Sequence, residues 1–359
     1  MSVQIIKGDP ILQALELWHE SIRTNIIEEA DRLHNEINKS IKEMSDPDSE
    51  VYYQLLKSRY LILKRDMSAA HATLKQIHDI YRIGNDLTGF YYHFYSGLLS
   101  TNLGEYDKAE SSFIAAYHLL EYVSDDTIRA DFFYKASILY YHIRQPLTAL
   151  HYANDALKIF SDVKGYEVIT ADCENIKGLS CTSLKQYTKA EEHFLSALDM
   201  ANKQEHKNLT LLIRYNLGYL YAEQNISDLA IRYLQEVYEQ EEPFYKTLFL
   251  LAREYFKLND LEKAEIFVQK GIQYTNEEYK HHFNIVRAFH NSLVDQELEN
   301  IVMEGIQYFE KHELFGFIED YCGELAQYFH NKEDHQRASH YFYKAYLAKK
   351  NLQKKEALK

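Results

Sequence analysis

Asp131, Tyr134, Asp172, Asn175, Asn216 and Arg253 stand at recurring offsets, six, three or two residues before or one after a small residue, from Ser137, Gly178, Gly218 and Ala252. Asparagine side chains donate and accept at once, so Asn175 and Asn216 match the alternating N–H and C=O groups of an extended peptide. Asp131 and Asp172 suit a basic peptide side chain, whereas Lys246 and Arg253 suit a terminal carboxylate. Leu212, Tyr215, Tyr219 and Phe249 fall on the same offsets and complete the candidate peptide-binding set. Catalytic patterns are missing. There is no Gly-rich phosphate loop, nucleophile elbow or paired-carboxylate arrangement. His281-His282 and the other histidines form no HExxH and have no thiol partners at zinc spacing, so neither a metal nor a cofactor is expected. Asp46, Asp48 and Glu50 lack the glycine and the spacing of a calcium loop and read as a solvated turn.

The small residues that set these offsets come in pairs twelve positions apart. Gly97, Ser137, Gly178, Gly218, Ala252 and Ala326 are followed by Ala109, Ala149, Ala190, Ala230, Ala264 and Ala338, and seven residues later by Ala116, Ala156, Ala197, Val237, Gly271 and Ala345. Two antiparallel helices approach closely only where neither carries a bulky side chain. This is the skeleton of a tetratricopeptide-type hairpin. A single hairpin cannot bury its apolar face, so the hairpins must stack, and the stack predicts a superhelix with a concave inner surface. The region 284–316 lacks the alanine signature but fits one divergent hairpin by length. Most of the 31 tyrosines, among them Tyr140, Tyr152, Tyr187, Tyr233 and Tyr255, lie at helical spacing. They read as core residues with the hydroxyl at an edge rather than as a stacking platform for RNA.

Four prolines, twelve glycines and a hydrophobic fraction of 46% suit an all-α solenoid. Pro146 and Pro243 fall at predicted helix ends. The formal charge of −14 disfavours non-specific nucleic-acid binding. No run approaches a membrane span, and MSVQIIKGDPIL lacks the pattern of a secretory signal. Three cysteines, Cys173, Cys181 and Cys322, without paired spacing are expected as reduced thiols, which points to the cytoplasm. Periodicity predicts three amphipathic helices within 1–66, carried by Ile11, Leu15, Trp18 and Ile22, by Ile26, Ala30, Leu33, Ile37 and Ile41, and by Tyr52, Leu55, Leu56, Tyr60 and Leu63. The expected division is a helical bundle over 1–66, a degenerate linking hairpin over 67–84 and the repeat array over 85–359.

Ala130 to Gln145, followed by Ala149 to Phe160, resembles the signature of the Rap family, peptide-regulated proteins of Bacillus-type bacteria. Leu87-Thr88-Gly89 before Phe90, Tyr91, Tyr92, Phe94 and Tyr95 is similar to that family's first repeat. Leu17 to Arg23 and Tyr52 to Leu56 resemble its first and third bundle helices. The resemblance spans nearly the whole chain. It implies a three-helix bundle ahead of the array, a regulatory protein, typically a response regulator, as partner, and a short signalling peptide as a quorum-sensing-type switch. Asn216, in Tyr215-Asn216-Leu217-Gly218, resembles the family's peptide-anchoring asparagine. On the bundle, Trp18, Asp46, Asp48, Tyr52 and Gln54 are the expected partner contacts.

One departure matters. Family members that dephosphorylate a response regulator carry a glutamine in the loop before the third helix, where its amide orients water. Here Ser45 to Glu50 contains none, and Gln54 lies further along. The favoured expectation is a peptide-gated regulator that acts by binding alone, with an aspartyl-phosphate phosphatase as the alternative. A DNA-binding helix-turn-helix would need a compact turn and a basic recognition helix. Residues 9–83 offer neither.

Overall fold

The computed structural model describes residues 10–40, 47–80, 86–240, 244–291 and 293–357. Eighteen α-helices run through these residues, and they form two compact units that divide between His206 and Lys207. None of the described helices is long and apolar enough to cross a membrane.

The first unit begins with α1 (Pro10–Arg23), α2 (Ile27–Ser40) and α3 (Pro47–Leu63). Their core is Leu15, Trp18, Ile22, Ala30, Leu33, Ile37, Tyr53, Leu56 and Tyr60, so the predicted apolar stripes meet as a three-helix bundle. Ile26 departs from its predicted stripe and stands exposed before α2; Ile41 lies outside the described residues. Helix α3 has a second buried face. Val51, Leu55 and Ile62 join a separate core with α4 (Met67–Ile80), α5 (Leu87–Asn102), α6 (Tyr106–Tyr117), α7 (Asp126–His142) and α8 (Pro146–Phe160). The expected linking hairpin over 67–84 is therefore, in its described part, the single helix α4 packed on α3. Helices α9 (Glu167–Ser183) and α10 (Tyr187–Lys203) complete the unit.

The second unit holds α11 (Lys207–Glu223), α12 (Ser227–Gln240), α13 (Tyr245–Lys257), α14 (Leu261–Tyr274), α15 (Glu277–His290), α16 (Asp295–Lys311), α17 (Phe315–Asn331) and α18 (His335–Ala357). Pro146 opens α8, where its missing N–H has no intrahelical partner to lose; Pro243 lies outside the described residues.

From α5 onward each odd helix pairs with the next even one. A Cβ placed on Gly97 would lie 2.7 Å from Phe113, on Gly178 2.6 Å from Phe194, and on Gly218 2.6 Å from Leu234. The missing side chain makes room for a large one sixteen residues on, and that exchange holds these three hairpins together. Its divergent member is α15/α16, where the roles are reversed: Gly305 on the second helix makes room for Ile285 on the first.

The hairpin turns follow the same register. Gly104, Arg144, Lys185, Asn225, Asn259 and Glu333 each lie seven residues after a crossing residue, and all have positive φ between 57° and 74°. The next N–H closes back five residues, as in Gln145 to Tyr140 at 2.8 Å and Asp334 to Phe329 at 3.0 Å. Five of these six turns use a residue other than glycine, each at a cost of about 1 kcal/mol, so the low glycine count places no limit on the number of hairpins.

Candidate ligand-binding site

In the first unit the candidate side chains fall along α7 and α9. Asp131 is 1% exposed and receives Nη2 of Arg59, from α3, at 3.4 and 3.5 Å. One turn along α7, Tyr134 Oη donates to Asp172 Oδ2 at 2.5 Å, and Asn175 Nδ2 donates to Asp172 Oδ1 at 3.1 Å. Lys135 lies over the Tyr134 ring, Nζ 4.1 Å from its centroid, and burial together with Arg59 pushes its ammonium down to about 8. The sequence placed Asp131, Tyr134, Asp172 and Asn175 on one face, and the structure does bring them together. Asp131 is corrected in role: its carboxylate is committed to a buried ion pair and is not presented to a ligand.

Helix α1 meets the first repeats at two further points, one on α7 and one on α5. Arg23 of α1 donates to Thr127 Oγ1 at 2.7 Å, beside Asp125, which caps α7 by accepting from Thr127 N and Ile128 N. His19 of α1 is bonded on both ring nitrogens, to Tyr52 Oη at 3.0 Å and to Tyr95 Oη of α5 at 3.1 Å. Burial, with Arg23 and Arg59 nearby, holds its pKa well below the usual histidine range, so the ring is neutral. The seam between α1 and the first repeats is thus polar and directional, whereas α3 adds apolar burial.

The bundle residues fare differently. Trp18 is 0% exposed, stacked between His34 and Tyr53 at 5.2 and 5.8 Å, and so belongs to the core instead of a partner surface. Tyr52 turns inward to His19. Asp48 is exposed in the first turn of α3 and Gln54 is half-buried. Asp46 lies outside the described residues. Leu17, Ile26 and Ile27, which sequence reasoning did not single out as contacts, are large and exposed on this end.

In the second unit α11 carries exposed Leu212, half-buried Tyr215 and Tyr219, and Asn216 at 4% exposure. Lys246 Nζ stands 6.0 Å from the Phe244 ring. A cleft of about 470 Å³ opens beside them, walled by Phe249, Arg253 and Lys257 of α13, Tyr279, His282 and Val286 of α15, and Phe317, Asp320, Tyr321 and Glu324 of α17. Arg253 is not held ready for a terminal carboxylate. Its Nε donates to Glu254 at 3.0 Å and its Nη2 to Glu223 at 3.5 Å. Buried Glu254 also accepts from Lys257 at 3.0 Å and from Ser227 at 2.7 Å.

His282 is 2% exposed and bonded through Nδ1 to Tyr321 Oη at 2.6 Å, with the rings of Phe317, Phe309 and Tyr279 at 4.4, 4.9 and 5.0 Å. Burial, helped by His281, pushes it down to about 3. Solvent reaches Glu324 within the cleft, yet the enclosing protein and neighbouring Asp320 push its carboxyl above the usual range.

Tyr279, His282, Asp320 and Glu324 were missed from sequence although the signal was there. Counting six, three and two back and one forward from Ile285 gives Tyr279, His282, Phe283 and Val286, and six and two back from Ala326 gives Asp320 and Glu324.

The chain resembles known proteins along nearly its whole length. A family model described as response regulator aspartate phosphatase H, N terminal, matches residues 6–65, and tetratricopeptide-repeat models match 169–240 and 245–277. The chain is 27% identical to Response regulator aspartate phosphatase I of Bacillus subtilis (strain 168) across 98% of this chain and 94% of that protein. It is 26% identical to Regulatory protein RapF of the same organism across 97% of each. Among solved structures, the apo form of RapI superposes with a TM-score of 0.73 at 27% identity, covering 97% of this chain and 99% of that one. A Rap protein complexed with Competence and Sporulation Factor superposes at 0.80 with 22% identity, covering 96% and 99%. With a matching amino-terminal model, repeats behind it and relatives aligned nearly end to end, the chain belongs to the Rap family.

Proposed function

We propose that the protein is a peptide-switched regulator: its amino-terminal helices hold a regulatory protein, and a short peptide bound to the repeats changes that grip without catalysis. The observation that carries the reading is the double duty of α7. Asp131 ties it to Arg59 of α3, and Tyr134, one turn away, ties it to Asp172 of α9. A ligand that engages Asp172 or Asn175 therefore pulls on the helix that anchors the amino-terminal bundle. Coupling needs such a physically continuous element with two arrangements. Polar ties such as His19–Tyr95 and Arg23–Thr127 exchange readily for water, so undocking α1 exposes little apolar surface there. The cleft of the second unit is the other candidate peptide contact. Exposed Leu17, Ile26, Ile27 and Asp48 are the candidate partner surface.

Support from relatives is of the same kind: solved neighbours include a Rap protein with Competence and Sporulation Factor and NprR with its cognate peptide NprX. Action by binding is supported by the sequence from Ser45 to Glu50, which has no amide side chain to orient water at an aspartyl phosphate. The alternative is a phosphatase of a phosphorylated response regulator, favoured by the name of its relative, Response regulator aspartate phosphatase I. Single-turnover incubation with phosphorylated response regulators separates the two. Binding with phosphate loss at the spontaneous rate supports the proposal; loss well above it establishes the phosphatase.

A further inference from the structure

A cavity of about 190 Å³ opens on α7 within the first unit, bounded by α6 and α8. Phe113 of α6 and Phe132, Ala136 and Tyr140 of α7 form its floor, each at most 8% exposed. Tyr152 of α8 closes one side, its ring stacked on that of Tyr140 at 5.3 Å and 15°. Ile114 and Tyr117 of α6, nearly half exposed, stand at the mouth. At about 3.6 residues per turn, Phe132, Ala136 and Tyr140 lie on the side of α7 away from Asp131, Tyr134 and Lys135. The cavity is therefore separate from the candidate peptide contacts on that helix.

The space has a cause in the sequence. Leu217, Leu251 and Leu325 stand one residue before the crossings of α11, α13 and α17, each 0% exposed. Leu251 shares a core with Ile231 and Leu234 of α12, and Leu325 with Val302 and Ile306 of α16. A leucine there fills the seam between one hairpin and the next. On α5 and α9 the position holds Ser96 and Lys177, both half-buried. Ala136, on α7, is the one of the six that is both small and 0% exposed. Its missing carbons leave a volume that the surrounding rings do not collapse to fill, an arrangement that ordinarily costs stability.

What the space selects follows from its walls. Five rings line it, those of Phe113, Tyr117, Phe132, Tyr140 and Tyr152. Burial pushes the Tyr140 hydroxyl up and that of Tyr152 to about 12, so both stay uncharged at neutral pH. His118, the remaining ionisable group, is exposed at the mouth. Such walls hold another ring in offset or edge-to-face contact, and an apolar cavity of about 150 Å³ already accepts benzene.

We propose that this cavity is a binding site for a small uncharged aromatic molecule, of one ring or two fused rings. The assignment stands apart from the peptide reading. Its occupant would sit between α6 and α7 against Phe132, next in sequence to Asp131, whose ion pair with Arg59 ties α7 to α3.

Indole is the probe, titrated calorimetrically into the full-length protein, with benzoate as its charged counterpart. One indole per chain should bind with a Kd of about a millimolar or tighter, and benzoate at least about tenfold more weakly. Ala136→Leu, which supplies the side chain that α11, α13 and α17 carry, should weaken indole by about tenfold or more with helical ellipticity unchanged. Nuclear Overhauser contacts between bound indole and the Ala136 methyl of the alanine-labelled parent locate the site even if that variant fails to fold. No saturable binding of indole up to about 5 mM, affinity that Ala136→Leu leaves intact, contacts to other alanines only, or benzoate bound as tightly as indole would each overturn the proposal.

Discussion

Adding one methyl group at Gly178 is the sharpest test of the hairpin register. Its Cβ would lie 2.6 Å from both Cδ1 and Cε1 of Phe194 and 2.9 Å from Cγ, distances that real Cβ atoms essentially never show. Phe194 is 0% exposed, so its ring has no solvent-facing path of retreat and the two helices must separate or the ring leave its rotamer. Overpacking of this kind costs roughly 1–3 kcal/mol, and Gly178→Leu should cost more. Gly323 of α17 is the internal control: an added Cβ there meets nothing within 4 Å, so Gly323→Ala should gain about 0.5–1 kcal/mol from helix propensity. Urea unfolding read by helical ellipticity measures both, and Gly178→Ala should lower the midpoint without changing the slope. Because the clash is with one named ring, Gly178→Ala/Phe194→Leu should recover more than half of the loss relative to Phe194→Leu alone. If Gly178→Ala unfolded within about 0.3 kcal/mol of the parent, or the double variant showed no coupling, the crossing would be misassigned.

Three other outcomes follow from the same structure. Asp131→Ala leaves Arg59 buried without its counter-charge and should cost about 2–4 kcal/mol, whereas Arg59→Met/Asp131→Asn should restore most of it in a double-mutant cycle. His282 is held neutral in the fold with its pKa lowered to about 3, against about 6.5 when unfolded. The unfolded chain therefore binds the extra proton, so this residue's contribution is intact above pH 6.5 and is lost as pH falls towards 3. His282→Phe should flatten the loss of urea midpoint between pH 6.5 and 4. Lys185 holds a positive φ of 57°, so Lys185→Gly should stabilise by about 0.5–1 kcal/mol in thermal unfolding, while the same change at Lys189, inside α10, should destabilise.

The helical architecture was legible because it is written in volume. Small residues paired twelve positions apart are a local pattern, and the six crossings they mark are followed by six turns in one register. The α15/α16 hairpin escaped the alanine count because its glycine, Gly305, had moved to the second helix, which hid Tyr279 and His282. Asp131 could be placed on the right face but not in the right role. Its partner Arg59 lies 72 residues earlier, and nothing local records that α3 packs beside α7. Arg253 was misread for the same reason, since Glu223, thirty residues away, reaches it only once the hairpins stack. Trp18 carried a warning in its own stripe with Leu15 and Ile22, a spacing that denotes burial before it denotes recognition.

Hydrogen exchange reads out whether a peptide on the repeats acts through α7 on the amino-terminal helices. A short peptide selected for binding to the parent protein should change the protection of amides in α1 and α3, residues 10–23 and 47–63. In Tyr134→Phe, which removes the hydroxyl bonded to Asp172 and leaves the ring in place, the peptide should still bind while that change largely disappears. Peptide binding that leaves α1 and α3 exchange untouched in the parent would contradict the account and make the protein a passive adaptor.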